Sequence, residues 1–108
     1  MEEFVTINNN ATAEIVEKKS KFIGNIYYVE SKEEAEEKLK ETRQKYSDAR
    51  HNCYAYRVIS DGALVERASD DGEPSGTAGG PMLNILQKNN LCNVLIVVTR
   101  YFGGILLG

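Results

Sequence analysis

A glycine-rich stretch, Ser69–Pro81 (SDDGEPSGTAGGP), holds the densest set of possible ligands in the sequence. Its first half carries three carboxylates: Asp70, Asp71 and Glu73. Carboxylate oxygens suit Mg²⁺ or Ca²⁺, although the spacing does not match a twelve-residue EF-hand loop. Its second half carries small polar residues and glycine: Ser75, Gly76 and Thr77. Hydroxyls and backbone N–H groups before a helix favour an anion instead. A third interpretation is a tight connection whose backbone geometry alone requires glycine.

His51 and Cys53 form a second candidate group. They lie two residues apart in a stretch typical of a strand, so their side chains should point to the same face. A thiol needs a base to become a thiolate, and a Cys–His pair is the smallest such nucleophile. The alternative is that Cys53 is a small buried hydrophobe and His51 a structural hydrogen-bonding residue. We predict the second and expect Cys53 to be buried and inert, because the sequence identifies no third group to orient the histidine.

Arg100 follows the most apolar segment of the chain, within Thr99–Gly104 (TRYFGG). A strand end beside a glycine turn is a usual position for ligand contacts in α/β proteins, and aromatic residues beside an arginine can stack on bases. Alternatively, the two aromatic residues are core anchors and Arg100 pairs with a carboxylate of Asp70, Asp71 or Glu73. We predict this internal pairing, because a guanidinium and a carboxylate bind as a fixed fork.

We therefore predict that the Asp70–Gly79 loop and the Arg100–Gly104 turn are neighbours that form one shallow site. Clustered carboxylates, paired glycines and an arginine after a buried strand are costly to place in loops without a role. The candidate binding residues are His51, Asp70, Asp71, Glu73, Ser75, Gly76, Thr77, Arg100, Tyr101, Gly103 and Gly104. None of them is predicted to be catalytic, and no metal site is predicted.

The apolar pattern predicts the elements that must position these residues. We expect strands at Phe4–Ile7, Ala13–Glu17, Lys21–Val29, Cys53–Ile59, Ala63–Ala68 and Cys92–Thr99. We expect helices at Ser31–Tyr46 and from Pro81 to Asn89-Asn90. Ser31 and Glu34 have the spacing of a capping box, and Asp61-Gly62 is a hairpin signal. Cys92–Thr99 is nearly all apolar and should be a central strand. This order predicts an α+β fold, with a mostly antiparallel sheet and the helices packed on one face.

Composition limits the class of protein. The chain has 108 residues, 16 acidic and 13 basic side chains and a formal net charge of -3. This length is typical of one domain that folds without disulfides or metal. Two cysteines and one histidine cannot form a four-ligand Cys/His zinc site. The sequence contains neither a membrane-spanning run nor a basic, apolar secretion signal, so we expect a soluble cytoplasmic protein. The slight acidity argues against nucleic-acid binding by bulk charge but leaves room for a local basic patch.

Four ordered motifs resemble those of the IMPACT family, also called the YigZ-like family. They are Ser20–Gly24, His51–Tyr56, Ser69–Gly79 and Val97–Gly104, and the resemblance spans roughly Lys18 to Gly108. It implies a fold like domain two of ribosomal protein S-five, with a left-handed βαβ unit. Gly80 and Leu106 depart from the family pattern, which often has Lys or Arg there, so less positive charge is expected near the ligand face.

Typical members of the family continue past Gly108 into a helix and a ferredoxin-like second domain. We therefore expect residues 1–108 to be a single N-terminal domain and a fragment of a longer protein. Eukaryotic relatives look like translational regulators that bind the activator of a stress-responsive kinase. Bacterial relatives resemble proteins of unassigned function, for which RNA or ribosome association has been proposed from the fold.

The resemblance brings no established enzymatic activity and no cofactor. It implies a non-enzymatic binding module that contacts RNA, the ribosome or a translation-regulating protein. Two alternatives stay open. One is a hydrolase that uses the carboxylates of the glycine-rich stretch with Cys53 and His51, and the other is a purely structural half of a two-domain protein.

Overall fold

The fold is a β-sheet with one helix on each side. The structure, a computed structural model, describes residues 5–17, 19–49, 51–71 and 78–101. Within these residues the elements are β1 (Ala11–Glu17), β2 (Ser20–Tyr28), α1 (Lys32–Lys45), β3 (His51–Ser60), β4 (Ala63–Ser69), α2 (Gly79–Lys88) and β5 (Val94–Tyr101). The strand order is β1-β2-β5-β3-β4, and every neighbouring pair is antiparallel. The predicted α+β class is confirmed.

The first helix begins as its capping signal predicts. The Ser31 Oγ accepts a hydrogen bond of 3.0 Å from the backbone N–H of Glu34. The Glu34 carboxylate accepts from the N–H of Glu30 at 2.6 Å, one residue before the amide expected for a capping box. Three residues bury the inner face of α1 against the sheet: Ala35, Leu39 and Thr42.

The hairpin between β3 and β4 is also confirmed. Asp61 and Gly62 form its two-residue turn with φ angles of 53° and 79°. Turns of this kind need positive φ at both central residues, which Asp-Gly tolerates and most other pairs do not. The turn fixes the register of the two strands, with Ser60 opposite Ala63 and Tyr54 opposite Ser69.

β5 lies at the centre of the sheet, as predicted from its apolar sequence. Val94, Leu95 and Val97 have no exposed surface. Leu95 and Val97 point to one face of the sheet and Val94 points to the other. β5 lies between β2 on one side and β3 on the other. The expected strand at Phe4–Ile7 is wrong for its described residues, because Val5 forms only an isolated parallel bridge with Leu91. Phe4 lies outside the described residues.

The two helices lie on opposite faces of the sheet, so the prediction that they share one face is wrong. α1 packs on a cluster that includes Tyr54, Tyr56 and Leu95, whereas α2 packs on a cluster around Ala55 and Val94. Along β3 and β5, residues of one cluster alternate with residues of the other, so both faces of each strand are apolar. A strand that buries both faces needs cover on both sides of the sheet, and one helix supplies each side.

This arrangement gives the two crossovers opposite hands. α1 joins β2 to β3, which are parallel to each other with β5 between them, and α2 joins β4 to β5, which are parallel with β3 between them. A half-turn about the axis perpendicular to the sheet superimposes the path from β2 to β3 on the path from β4 to β5. Because the helices nevertheless lie on opposite faces, one crossover is right-handed and the other left-handed. The left-handed βαβ unit that the resemblance implies is therefore present.

Candidate functional site

Three strand ends meet at one end of the sheet, which we call the site end. It consists of the start of β3 at His51, the end of β5 at Arg100 and Tyr101, and Asp70 and Asp71 after β4. His51 is directly opposite Arg100 in the β3–β5 ladder. The loop that starts at Asp70 and the end of β5 thus lie at the same end of the sheet. Six predicted site residues lie outside the described residues: Glu73, Ser75, Gly76, Thr77, Gly103 and Gly104.

Asp70 joins the end of β4 to the start of α2. Its Oδ1 accepts hydrogen bonds from the backbone N–H groups of Ala78 at 3.0 Å and Gly79 at 2.7 Å. The N-terminal N–H groups of a helix need such acceptors, and Ala78 at the N-cap has no side chain to supply one. α2 therefore starts at Gly79, two residues earlier than Pro81, under a cap supplied from the preceding strand. The carboxylate has a structural role here.

Gly79 is required by close packing. A Cβ atom at this position would lie 2.7 Å from the carbonyl oxygen of Ser69 and 2.8 Å from its carbonyl carbon. The same atom at Gly80 would meet nothing within 4 Å. The backbone of α2 thus touches the backbone of β4 at Gly79, which brings the two ends of the Asp70–Gly79 loop together.

Asp71 uses all of its polar atoms within the protein. Its carboxylate accepts from the backbone N–H of Asn52 at 2.7 Å and from Arg43 Nη2 at 3.2 Å. Its own N–H donates to Ser69 Oγ at 3.1 Å, and its carbonyl oxygen accepts from His51. Its φ of 49° is the left-handed conformation, which aspartate tolerates better than most residues. These contacts fix the direction in which the loop leaves β4.

His51 and Cys53 point to the same face, as predicted, and each binds a carbonyl of the loop. The His51 Nδ1 lies 2.8 Å from the carbonyl oxygen of Asp71, and because a carbonyl only accepts, Nδ1 carries the proton. The Cys53 Sγ donates to the carbonyl oxygen of Asp70 at 3.3 Å, and Cys53 is 2% exposed. The predicted burial of Cys53 is confirmed. Both side chains anchor the loop, which is a different arrangement from a nucleophile beside its base.

Arg100 stands in a row of three neighbouring side chains across the sheet. It lies opposite Phe22 of β2 on one side and His51 of β3 on the other, so all three project from the same face. Its guanidinium carbon is 5.5 Å from the centroid of the Phe22 ring, a cation–π distance. The expected pairing of Arg100 with Asp70, Asp71 or Glu73 stays a prediction, because Glu73 lies outside the described residues. The Asp71 carboxylate pairs with Arg43. Arg43 reaches it from the other face of the sheet.

Tyr101 is an anchor of the site end. It is 8% exposed, and its hydroxyl donates to Asp48 Oδ1 at 2.7 Å. Burial, with the Asp48 carboxylate as the second cause, raises the pKa of Tyr101 to about 12. The Lys21 ammonium lies 6.0 Å from the centroid of the ring. The phenol is thus held in its neutral form as a donor.

Charge along α1 is segregated. Four acidic residues lie in its first half: Glu33, Glu34, Glu36 and Glu37. Three of the four charged residues in its second half are basic: Lys40, Arg43 and Lys45. The contact of Arg43 with Asp71 puts the basic half at the site end, and the contact of the Lys32 N–H with Ser60 Oγ at 3.4 Å puts the acidic half at the other end. This order also suits the helix dipole.

Sequence reasoning missed three contributors to this site. Arg43 and Asp48 come from the end of α1 and the turn after it, and Asn52 contributes only its backbone N–H to Asp71. All three contacts join segments remote in sequence, so no local pattern signals them. Among the residues that the structure describes, no group of three or more His, Cys, Asp and Glu side chains is arranged to hold a metal ion. In the same residues, no helix is both long and apolar enough to cross a membrane.

The sequence profile of the Impact N-terminal domain matches residues 18–108. The chain belongs to the IMPACT family. It is 46% identical over 105 residues to IMPACT family member YvyE of Bacillus subtilis (strain 168), a match that covers 97% of this chain and 48% of the relative. The chain thus spans about half the length of this relative, and the resemblance inferred from the four motifs is confirmed.

Two solved structures share this fold. One, a crystal structure described as that of a hypothetical protein, matches with a TM-score of 0.81 and 40% identity over 93% of this chain and 49% of that chain. The other is Yih1, described as a two-domain translational regulator, with a TM-score of 0.56 and 30% identity over 89% of this chain and 36% of that chain. The family to which the chain belongs therefore includes a regulator of translation.

Proposed function

We propose that this IMPACT-family chain is a non-enzymatic module that binds RNA as part of a translation-regulating protein, and that RNA meets it at the site end. The row of Phe22, Arg100 and His51 provides an aromatic ring, a permanent cation and an imidazole side by side on one face. Such a row suits both the stacking of bases and the attraction of phosphate.

The observation that carries the proposal is that Asp70 and Asp71 accept hydrogen bonds from other parts of the protein. Asp70 caps α2 through the N–H groups of Ala78 and Gly79, and Asp71 accepts from Asn52 and Arg43. Arg43 offsets the charge of Asp71, and carboxylates whose oxygens accept such structural hydrogen bonds are poorly placed to act as a general base. The same fact disfavours the alternative of a hydrolase built on these residues.

Charge distribution supports the same partner. The basic half of α1 lies at the site end together with Lys21 and Arg100, and the described carboxylates there, Asp48, Asp70 and Asp71, accept hydrogen bonds within the protein. A local basic surface on an acidic protein attracts nucleic acid in one orientation, and added salt screens that attraction. Yih1 is a translational regulator, and translational regulation is a setting in which RNA is the common ligand.

The experiment measures the affinity for a fluorescein-labelled single-stranded oligouridylate by fluorescence anisotropy at several salt concentrations. We expect Arg100→Ala to weaken binding about tenfold and Arg100→Lys to weaken it less, because lysine keeps the charge but loses the planar fork. Lys88→Ala is the matched control, since Lys88 is exposed at the end of α2, far from the site end.

Three results would contradict the proposal. The wild-type chain could fail to bind RNA, its affinity could be independent of salt, or Arg100→Ala and Lys88→Ala could have equal effects. RNA binding that is independent of salt would mean that the contact does not involve the phosphate charges. Thermal unfolding of each variant establishes that any loss of affinity occurs in a folded protein.

A further inference from the structure

A second arrangement of cations lies on the face of the sheet that α1 covers. The guanidinium groups of Arg43 and Arg67 both lie 5.6 Å from the centroid of the Tyr54 ring. Arg43 comes from the last turn of α1 and Arg67 from β4, and Tyr54 lies between them on β3. We call these three residues the Arg–Tyr–Arg cluster. It brings two permanent positive charges to one buried ring.

The ring fixes the two guanidinium groups in place. Tyr54 is 2% exposed and stacks on Tyr56 at 6.4 Å, so it cannot move away. The arginine side chains themselves are 44% and 54% exposed. Their planar faces can rest on the ring while their edges, which carry the N–H donors, remain open to solvent. The cluster is thus a preorganised surface with outward-facing donors.

Within the part of the chain that the structure describes, most N–H donors of Arg43 and Arg67 have no hydrogen-bond acceptor. A guanidinium has five N–H donors. Among the described residues, Arg43 donates from Nη2 to Asp71, and Arg67 donates from Nη1 to Glu36 and also lies within hydrogen-bonding reach of the Tyr56 hydroxyl. Both carboxylates also serve other donors, since Asp71 binds the N–H of Asn52 and Glu36 binds the Tyr56 hydroxyl at 2.7 Å. With the carboxylates that the structure describes, neither arginine forms the two-pronged pairing that would satisfy its fork.

The surroundings add positive charge and space. Lys40 is exposed one turn before Arg43 on α1 and forms no ion pair among the described residues. Beside it lies a surface cavity of about 280 Å³, lined by Glu36, Leu39, Lys40, Arg43, Gln44 and Ser47. Glu36 is its one acidic residue, and that carboxylate is already bound by Arg67 and Tyr56. An anion would find donors here on both the helix and the strand side.

We propose that the Arg–Tyr–Arg cluster binds the phosphate backbone of RNA, as a second contact that rests on the RNA-binding function proposed above. Phosphate oxygens accept paired hydrogen bonds from the fork of an arginine, and two forks held on one rigid ring can engage a strand with little loss of side-chain freedom. The contact carries no base specificity, because it reads the backbone alone. RNA held at the site end would continue along the basic half of α1.

Arg67→Gln is the decisive variant, because Arg67 is exposed and pairs with Glu36, whereas Arg43 pairs with Asp71 at the site end. With the same labelled oligouridylate, we expect Arg67→Gln to weaken binding about five- to tenfold and to reduce the salt slope by about one phosphate contact. Arg67→Lys should keep most of the salt slope and recover only part of the affinity. Lys88→Gln, which removes the same charge at the opposite end, should change affinity less than twofold.

The outcomes separate this contact from the proposed function. If the wild-type chain binds no RNA, the proposed function fails and the cluster has no role in it. If the wild-type chain binds RNA and Arg100→Ala weakens it while Arg67→Gln does not, only the cluster proposal is overturned. If Arg67→Gln weakens the binding of a glutamate-rich peptide as much as that of RNA, the cluster is a general anion surface and its assignment to RNA is overturned.

Discussion

The Oδ1 of Asp70 lies 2.7 Å from the backbone nitrogen of Gly79, and this hydrogen bond joins the end of β4 to the first turn of α2. A helix normally takes its cap from the residue just before it. Here the cap comes from a carboxylate eight residues before the N-cap Ala78, because the two segments touch at Ser69 and Gly79. The loop that carries the family motif is therefore fixed at its base from both sides.

Gly79→Ala should destabilise the protein by about 1–3 kcal/mol, since the added methyl group would press on the backbone of Ser69, which cannot rotate away. Gly80→Ala is the matched control. It meets open space in a helix, where replacing glycine stabilises by up to about 1 kcal/mol. Urea denaturation of both variants measures the difference, and equal stabilities for the two would contradict the close packing of α2 on β4.

Asp70→Ala should cost about 1–2 kcal/mol, because it leaves the N–H groups of Ala78 and Gly79 without their acceptor. Asp70→Asn keeps a side-chain oxygen in the same place, so it should lose less than half as much. The free energy of unfolding from urea titration is again the measurement. If Asn were as destabilising as Ala, the cap would not be the reason for the aspartate.

The raised pKa of Tyr101 predicts a loss of stability in alkali. The pKa of tyrosine in an unfolded chain is about 10, and burial beside Asp48 raises the pKa of Tyr101 to about 12. A group with a raised pKa contributes its full stabilisation below pH 10 and loses it as the pH rises towards 12. The free energy of unfolding should therefore fall more steeply over this range in the wild type than in Tyr101→Phe. Parallel curves for the two proteins would contradict the assignment.

Cys53 should resist thiol reagents in the folded protein. It is 2% exposed, and its thiol donates to the carbonyl of Asp70, whereas a reactive cysteine must be accessible as the thiolate. Modification by a chromogenic disulfide should be slow in buffer and fast in denaturant. Because Cys92 is also buried, Cys92→Ala isolates the signal of Cys53. Rapid labelling of Cys53 in the Cys92→Ala variant, while it remains folded, would restore the nucleophile hypothesis.

Local signals in the sequence predicted the elements well. Ser31 and Glu34 cap α1, Asp61-Gly62 turns the hairpin, and the apolar run of β5 lies at the centre of the sheet. Each of these depends on residues close together in the chain. The faces of the helices were predicted wrongly, although the apolar character of Cys92–Thr99 on both faces already required cover on both sides.

The site was predictable only in its location. The expected neighbourhood of His51, Asp71 and Arg100 was inferred from motifs, and their strands do end together. The partner of Asp71 was not predictable, because Arg43 reaches it from a helix on the far face of the sheet. Ion pairs between remote segments depend on the packing of whole elements, which a residue pattern does not encode.

The central claim, that RNA binds at the site end, is tested most directly by mapping the contact on the folded protein. Backbone amide NMR signals are followed while an unlabelled oligouridylate is added. We predict saturable shifts at Lys21, His51 and Arg100, and unchanged signals at Lys32 and Ser60 on the opposite end of the sheet. Shifts centred on Lys32 and Ser60, or no saturable shifts at all, would contradict the account.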